Sequence, residues 1–336
     1  MAVTIKDIAR IAGISYSTVS KALNGSPLVR ESTRERISRI AQELGYQPNT
    51  MARSLVAQKS FIIGVVWPTI ERLSWSSLVT SLNDALAQHG YSMLVSINPL
   101  QSAITTFNRL RVDGILVFPG HEITPFADLP KSIVPILLYG SPGMANYSSI
   151  NANRRKAIFE AVSYLAARGH RKVAYIGDLA PNHIVQQEKF KGFSDGIIRH
   201  KLLTHPDMAI DAGGHTADDG YKAAKRLLQS AYHPSAIVSG SYELTVGIVR
   251  ALRENNLRVP QDISIIAYDN IPQMERFDVP VTAVGPPLEA MAESIVNMLL
   301  GLISGAVTPP GNYEVDVELV ERASVASRFE AQDARG

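Results

Sequence analysis

Residues 4–25 of the chain read TIKDIARIAGISYSTVSKALNG, and this stretch decides the fold of the N-terminal part. Thr4 and Asp7 have the spacing of a capping box, which predicts that a helix begins here. Gly13 predicts the end of this helix, because glycine adopts the left-handed C-cap conformation without strain. Between these signals the apolar residues recur at helical spacing: Ile5, Ile8, Ala9 and Ala12.

Two further helices follow the first within the next thirty or so residues. Ser15 can cap a second helix, which Asn24 and Gly25 end. Ser32 with Glu35 opens a third helix, and its apolar positions again follow the helical period. Two short helices joined by a tight glycine turn, with a third closing the core, are typical of a helix-turn-helix domain. In that motif the second helix enters the major groove of DNA.

The charge of the chain is unevenly distributed. Residues 1–60 hold nine lysine and arginine residues against four acidic ones, whereas the remainder is slightly acidic. A basic module on a mildly acidic body indicates a polyanionic partner for the module, although a basic patch can also be a solvated face. The absence of cysteine excludes disulfides and thiolate chemistry. With no apolar run long enough to span a bilayer, we expect a cytoplasmic protein without membrane contact.

The N-terminal sequence closely resembles the LacI/GalR family, which includes the lactose, galactose and purine repressors. The runs that carry the resemblance are Thr4–Ala9, Ala12–Ser15, Thr18–Asn24, Thr33–Ile37, Glu43–Asn49 and Ala52–Leu55. One position departs from the family, which usually has arginine where this chain has Lys21. Lysine cannot match the bidentate geometry of arginine on guanine, so the base preference at this position is open.

The motif and the resemblance together predict which side chains contact double-stranded operator DNA. Base-reading residues are expected at the start of the second helix and one turn later: Tyr16, Ser17 and Lys21. Short polar residues suited to phosphates are Thr4, Thr18, Ser20 and Asn24. The alternative is that Tyr16 is a half-exposed aromatic residue and Ser17 a helix-start residue without contact to DNA.

Residues 48–57 predict a hinge between head and body. Pro48 ends the third helix, and the stretch that follows is too short to be stable as an isolated helix. The resemblance implies that two such helices pair in the minor groove, where a leucine from each opens a base step. The residues at the matching positions are Asn49, Ala52, Arg53 and Leu55. A flexible linker is the alternative.

From Phe61 onward, strand-like apolar runs alternate with amphipathic helices, which predicts an α/β body with doubly wound parallel sheets. The elements are too many for one sheet, so two lobes with a ligand cleft between them are expected. The resemblance extends to about Arg328 and implies a small all-α head plus lobes of periplasmic-binding-protein type. It also implies a homodimer, since no leucine heptads follow.

The expected domains follow from these features. They are a helix-turn-helix domain at 1–47, a hinge helix and linker at 48–59, an effector-binding and dimerisation domain at 60–328, and a tail at 329–336. Lobes of this family exchange strands. The expected lobes are 60–152 plus 282–308, and 153–281 plus 309–328.

The residues at the family's pocket positions differ from the usual sugar-binding set. They are Thr69, Arg72, Trp75, Asn153, Arg154, Lys189, Ser241, Tyr242 and Asp269. Most of the carboxylates and amides that hold neutral sugars are missing, and basic residues remain. Basic residues favour an anionic effector such as a sugar acid or sugar phosphate. Three alternatives stay open: Arg154 and Arg155 form a solvated helix start, Trp75 belongs to the core, or the body only dimerises.

Enzyme signatures are missing from the sequence. There is no phosphate-binding glycine loop, no nucleotide fingerprint and no serine nucleophile elbow, and the eight histidines lack the spacing of a zinc site. We therefore expect no catalysis, no cofactor and no metal. The expected function is a transcriptional repressor whose operator affinity is controlled by a small sugar or sugar derivative. The alternatives are a ligand-independent dimeric DNA-binding protein and a sugar-binding protein.

Overall fold

The computed structural model describes residues 3–23, 25–46, 59–67, 72–118, 132–140, 146–181 and 183–329. The chain divides into two units, a head (Met1–Ser60) and a body (Phe61–Gly336). None of the helices in the described ranges is long and apolar enough to cross a membrane.

The head contains three helices: α1 (Ile5–Ala12), α2 (Tyr16–Leu23) and α3 (Glu31–Glu43). One completely buried aliphatic residue from each helix forms the centre of the core: Ile8, Val19 and Ile37. The amide and hydroxyl of Thr4 donate to the Asp7 carboxylate at 3.0 and 2.7 Å, and Gly13 ends α1 at a φ of 65°. The predicted helix-turn-helix fold is confirmed.

The body alternates strands and helices along the chain. Its strands are β1 (Ile62–Val66), β2 (Ser92–Ser96), β3 (Gly114–Val117), β4 (Ile136–Tyr139), β5 (Ser148–Ala152), β6 (Val173–Gly177), β7 (Ala209–Asp211), β8 (Ala236–Ser239), β9 (Ser264–Tyr268), β10 (Thr282–Gly285), β11 (Asn312–Val315) and β12 (Glu318–Val320). Its helices are α4 (Leu73–Gln88), α5 (Leu100–Leu110), α6 (Arg154–Ala167), α7 (Ile184–Arg199), α8 (Ala217–Gln229), α9 (Tyr242–Glu254) and α10 (Leu288–Ser304).

The strands form two six-stranded sheets, one for each lobe. The first has the order β11-β5-β4-β3-β1-β2 and is parallel throughout. The second has the order β12-β10-β9-β8-β6-β7, in which only the edge strand β12 runs antiparallel, to β10. Helices pack on both sheets, and the predicted two-lobed α/β body is confirmed.

The strand exchange between the lobes differs from the expected ranges at two short strands. β10, expected in the first lobe as part of 282–308, pairs with β9 in the second sheet. β11, expected in the second lobe as part of 309–328, pairs with β5 in the first sheet. Helix α10, between these two strands, packs on α4 of the first lobe. The expected ranges were wrong here because the sequence of a four-residue strand does not encode which strand it pairs with.

In the second lobe, helices α8 and α9 pack closely because each has a glycine where they meet. A Cβ atom on Gly247 of α9 would overlap the carbonyl oxygen of Ala217 and the amide nitrogen of Tyr221, both on α8. A Cβ atom on Gly220 of α8 would in turn overlap the carbonyl oxygen of Leu244 on α9. The two helices therefore approach to backbone contact, which only residues without a side chain permit.

Candidate functional site

Helix α2 presents the three predicted base-reading residues on its exposed side. Val19 and Ala22 are buried against the other helices of the head, whereas Tyr16, Ser17 and Lys21 are exposed. Tyr16, the first residue of the helix, leaves 54% of its surface exposed. A large exposed aromatic residue and a flexible cation at the N-terminal end of a second helix match the geometry with which such helices read base edges.

Ser15 holds the start of α2 in place. Its hydroxyl oxygen accepts from the Thr18 amide at 3.2 Å and lies 3.0 Å from the Ser17 hydroxyl and 2.8 Å from the Thr18 hydroxyl. This network orders the N-terminal turn and thereby the Tyr16 and Ser17 side chains. Among the predicted phosphate contacts, Thr18 and Ser20 are half-buried on α2.

Thr4, also predicted to contact phosphate, has its hydroxyl bonded within the head. That hydroxyl and the Thr4 amide both donate to Asp7, and these bonds lower the pKa of the Asp7 carboxyl. Arg10 lies 3.1 Å from the same carboxylate. Five other predicted DNA contacts lie outside the described residues: Asn24, Asn49, Ala52, Arg53 and Leu55.

In the body, a cavity of about 90 Å³ lies between the lobes at the carboxyl ends of the strands. Five of the predicted effector contacts line this cavity: Arg72, Trp75, Arg154, Lys189 and Asp269. A second cavity of about 250 Å³ lies beside it, and Arg154 and Val185 line both. A pocket for a small organic ligand usually measures about 300–1,000 Å³, so an effector must displace side chains or open the cleft.

Lys189 points from α7 into this cavity and is only 3% exposed. Its Nζ donates to the Gly240 carbonyl at 2.7 Å and lies 3.8 Å from the centre of the Tyr268 ring. Burial lowers the pKa of Lys189 to about 7, because the charged ammonium loses its hydration. With this pKa the amine is charged below about pH 7 and neutral above it, and an anion beside it would favour the charged form.

Asp269 follows β9 in a left-handed conformation with a φ of 84°. Its carboxylate accepts from the Tyr242 amide at 3.0 Å, and burial raises its pKa. Arg154 begins α6 and places its guanidinium 5.7 Å from the centre of the Tyr139 ring. Neither Arg154 nor Lys189 has a carboxylate oxygen within 4.0 Å in the described part of the chain.

An ion pair connects the lobes at the cavity. Arg72, just before α4, lies 3.4 Å from Glu243 on α9, and both side chains are about one-eighth exposed. Arg72 also stacks over the Trp75 ring at 4.8 Å. The same Trp75 ring packs edge-on against the buried Trp67 at 5.7 Å, so Trp75 contributes both to the aromatic core and to the cavity wall.

Three other predicted effector residues lie beside this cavity rather than in its wall. Asn153 caps α6 by accepting from the Lys156 amide, and it lines the second cavity. Ser241 is buried, and its hydroxyl caps α9. The Tyr242 ring packs against Phe277. Ser241 and Tyr242 are not among the residues that line the cavity, because both start a helix whose N-terminus needs capping and packing. Their contact with an effector stays a prediction. Thr69 lies outside the described residues.

Two tyrosines that flank Arg154 and Lys189 were not predicted from the sequence. Tyr139 ends β4 and Tyr268 ends β9, and both line the cavity. Their position at strand carboxyl ends was the available signal, since ligands bind there in open α/β sheets. Arg155, the neighbour of Arg154, is exposed and paired with Asp195 at 2.6 Å. The solvated-helix alternative thus describes Arg155 but not Arg154.

A helix-turn-helix head joined to two parallel-sheet lobes around a cleft defines the class of ligand-binding transcription regulators. Residues 4–49 match the bacterial regulatory proteins of the lacI family, and residues 162–325 match the periplasmic binding protein-like domain. The chain is 32% identical over 278 residues to catabolite control protein A of Priestia megaterium, covering 80% of this chain and 83% of that protein. The chain belongs to the LacI family.

Two further comparisons cover almost the whole chain. The HTH-type transcriptional repressor PurR of Vibrio atlanticus is 29% identical over 331 residues, which cover 96% of this chain and 98% of that protein. The structure of the lac repressor dimer bound to operator and the anti-inducer ONPF superposes with a TM-score of 0.80 at 25% identity, covering 97% of this chain and all of that one.

Proposed function

We propose that this protein is a cytoplasmic transcriptional repressor that binds operator DNA as a homodimer and responds to an anionic carbohydrate, either a sugar acid or a sugar phosphate. The lac repressor dimer on its operator is the precedent for the DNA complex. The observation that carries the anionic effector is the pair Arg154 and Lys189, two cations that converge on the cleft with no carboxylate within 4.0 Å among the described residues.

Physical chemistry favours an anion at this place. Among the described residues that line the cavity, Asp269 is the one carboxylate beside the cations Arg72, Arg154 and Lys189. Buried charge that is not fully compensated costs several kcal/mol, and a carboxylate or phosphate that enters the cleft offsets this cost through charge-assisted hydrogen bonds. The Tyr139 and Tyr268 rings beside the cations offer flat apolar surfaces and hydroxyl groups suited to a sugar ring. An anionic group therefore orients toward Arg154 and Lys189, with the ring against the tyrosines.

The same cleft supplies a means of control. The Arg72–Glu243 ion pair joins the two lobes at the cavity, and the cavity is too small for a sugar. An effector that opens the cleft changes the arrangement of the lobes, and in a dimer this changes how the two heads are presented to DNA. The effect on operator affinity is limited by the effector's differential affinity for the two arrangements, typically about 1–3 kcal/mol.

A ligand panel on the full-length chain tests the proposal. Neutral sugars, the corresponding sugar acids and the sugar phosphates are compared by thermal unfolding. A ligand at about 100 times its Kd adds roughly 2.7 kcal/mol to the free energy of unfolding. We expect stabilisation by an acid or phosphate but not by its neutral parent, and a change in operator affinity with the same ligand. Stabilisation by neutral sugars alone contradicts the anionic effector, and no response at all favours ligand-independent DNA binding.

The base-reading role of Lys21 predicts a sequence-specific loss on substitution. An operator is first selected from random DNA with the wild-type protein. Lys21→Ala should weaken binding to that operator by about 10- to 100-fold, because each base contact contributes about 1–3 kcal/mol of discrimination. Binding to non-specific DNA should fall much less, as measured by fluorescence anisotropy at fixed salt.

Arg39→Ala is the matched control, since it also removes one exposed positive charge from the head but from α3. Equal losses on operator and non-specific DNA for Lys21→Ala would show that Lys21 contacts phosphate rather than bases.

A further inference from the structure

A second group of chemically active side chains lies in the second lobe, at the carboxyl edge of its sheet. Asp178 follows β6, His183 immediately precedes α7, and His215 comes just before α8. One ligand atom from each of these residues lies within 4.8 Å of the other two. This group was not predicted from the sequence, because its residues come from two separate loops, β6–α7 and β7–α8, which the pairing of β6 with β7 brings together.

The contacts centre on one carboxylate oxygen. Asp178 Oδ2 is 2.5 Å from His183 Nδ1 and 3.1 Å from His215 Nε2. The side chains of Asp178 and His215 are only 4% and 9% exposed, whereas that of His183 is 19% exposed. The two imidazole rings stack with their centroids 6.2 Å apart. The cluster is thus well buried, with access from solvent on the side of His183.

We infer that Asp178, His183 and His215 form a binding site for a divalent transition-metal ion, with zinc as the best fit. Two imidazole nitrogens and one carboxylate oxygen are ligands that zinc prefers, and three protein ligands leave a fourth position open. Magnesium and calcium prefer all-oxygen sites and do not suit two histidines. This site is separate from the effector cavity, so the inference goes beyond the proposed function.

The geometry needs only a small adjustment to hold a metal. Bonds of about 2.0–2.2 Å to zinc place tetrahedral ligand atoms roughly 3–4 Å apart, close to the present separations. Asp178 Oδ1 accepts from the Ala180 amide at 2.9 Å. This hydrogen bond holds the carboxylate in one orientation, so that Oδ2 remains directed at the two histidines. Metal binding requires an ionised carboxylate and unprotonated imidazole nitrogens, so the affinity for the ion weakens at low pH.

The site has a structural consequence for the effector cleft. His183 immediately precedes α7, and this helix carries Gln186 and Lys189 into the cavity wall. A metal bound to His183 and His215 links the start of α7 to the segment before α8. The proposed ion therefore adds a cross-link beside the cavity without touching the effector.

Metal titration of the full-length protein tests this inference. The protein is treated with chelator, and Zn²⁺ binding is measured by calorimetry at pH 7.5. We expect one equivalent per chain, and Co²⁺ in its place should produce the intense visible absorption of a four-coordinate site. His183→Gln and His215→Gln should each weaken Zn²⁺ affinity at least about tenfold, as losses around metal sites do.

The control is His233→Gln, which changes an exposed histidine outside the cluster and should leave Zn²⁺ affinity unchanged. Wild-type protein that binds no Zn²⁺, or Zn²⁺ affinity that persists in both cluster variants, overturns the inference. The Co²⁺ spectrum is measured on wild-type protein, so it decides the question even if a cluster variant folds poorly. Effector and operator binding are separate measurements, and the proposed function does not depend on these outcomes.

Discussion

Lys189→Met should abolish binding of an anionic effector while leaving the body folded. The substitution removes one of the two buried cations but keeps a side chain of similar length among the same apolar neighbours. Loss of a buried charge partner typically costs about 2–5 kcal/mol of binding free energy, which corresponds to a loss of roughly 30- to 5,000-fold in affinity. Calorimetric titration with the ligand found in the panel measures this loss.

The same substitution should change how stability depends on pH. Because burial lowers the pKa of Lys189 from 10.5 to about 7, the unfolded chain binds a proton more strongly than the folded chain. Between pH 7 and pH 10.5 the unfolded state is therefore the more protonated, and the free energy of unfolding rises with pH in that window. Lys189→Met should remove this rise, and urea unfolding at several pH values measures it.

The affinity for a carboxylate ligand should fall with rising pH, whereas the free energy of unfolding rises, because the ligand binds the protonated form of Lys189. The ligand interacts with the charged ammonium, which predominates below pH 7 in the empty cavity. Affinity should be highest below pH 7 and should fall with rising pH by up to about tenfold per pH unit. A sugar acid is the better probe, since its carboxylate remains ionised throughout this range.

Lys191→Met provides the matched control for both experiments. Lys191 lies on the same helix but is exposed and pairs with Glu188 at 2.7 Å. It should change neither ligand affinity nor the dependence of stability on pH. If Lys189→Met binds the anion as tightly as the wild type, Lys189 has no part in effector binding.

Gly247→Ala should destabilise the second lobe strongly, although alanine is normally the better helix former. The new Cβ atom would overlap backbone atoms of Ala217 and Tyr221 on α8, so the two helices must separate along their contact. Such overpacking costs typically about 1–3 kcal/mol, and a clash with the backbone of α8, which cannot rotate away as a side chain can, places this variant at or above about 3 kcal/mol. For a unit of this size, Tm should fall by roughly 5–10 °C in calorimetry.

Gly301→Ala is the matched control on α10. A Cβ atom there meets the side chain of Val307, which can move, rather than the backbone of a neighbouring helix. Alanine gains about 0.5–1 kcal/mol over glycine within a helix, so this variant should be close to neutral. Similar stability of the two variants would show that α8 and α9 can separate without loss.

The sequence alone predicted the head correctly, because its signals are local. The bond between Thr4 and Asp7, the left-handed Gly13 and the capping Ser15 each act within four residues along the chain. The exposed side of α2 follows from the same periodicity, since burial of Val19 leaves Lys21 toward solvent. Capping and helical spacing thus determined both the three helices and the face proposed to contact DNA.

Only the tertiary structure decided the chemistry of the cleft. Arg154 and Arg155 are adjacent in sequence and identical in type, yet one lines the cavity and the other pairs with Asp195 in solvent. The hydroxyl of Ser241, which stands at a family pocket position, instead accepts from the Leu244 amide and caps α9. These outcomes depend on which direction a helix start faces and on its neighbours in other elements, and neither is encoded locally.

Two further features have a common origin. One is the exchange of strands between the lobes, and the other is the cluster of Asp178, His183 and His215. Both arise where segments far apart in sequence meet at a sheet edge, and the strand order determines which segments those are. Hydrophobic periodicity predicts that a strand is buried but not which strand lies beside it. The sequence therefore determined the elements and the local caps, whereas the pairing of the strands decided which side chains share a site.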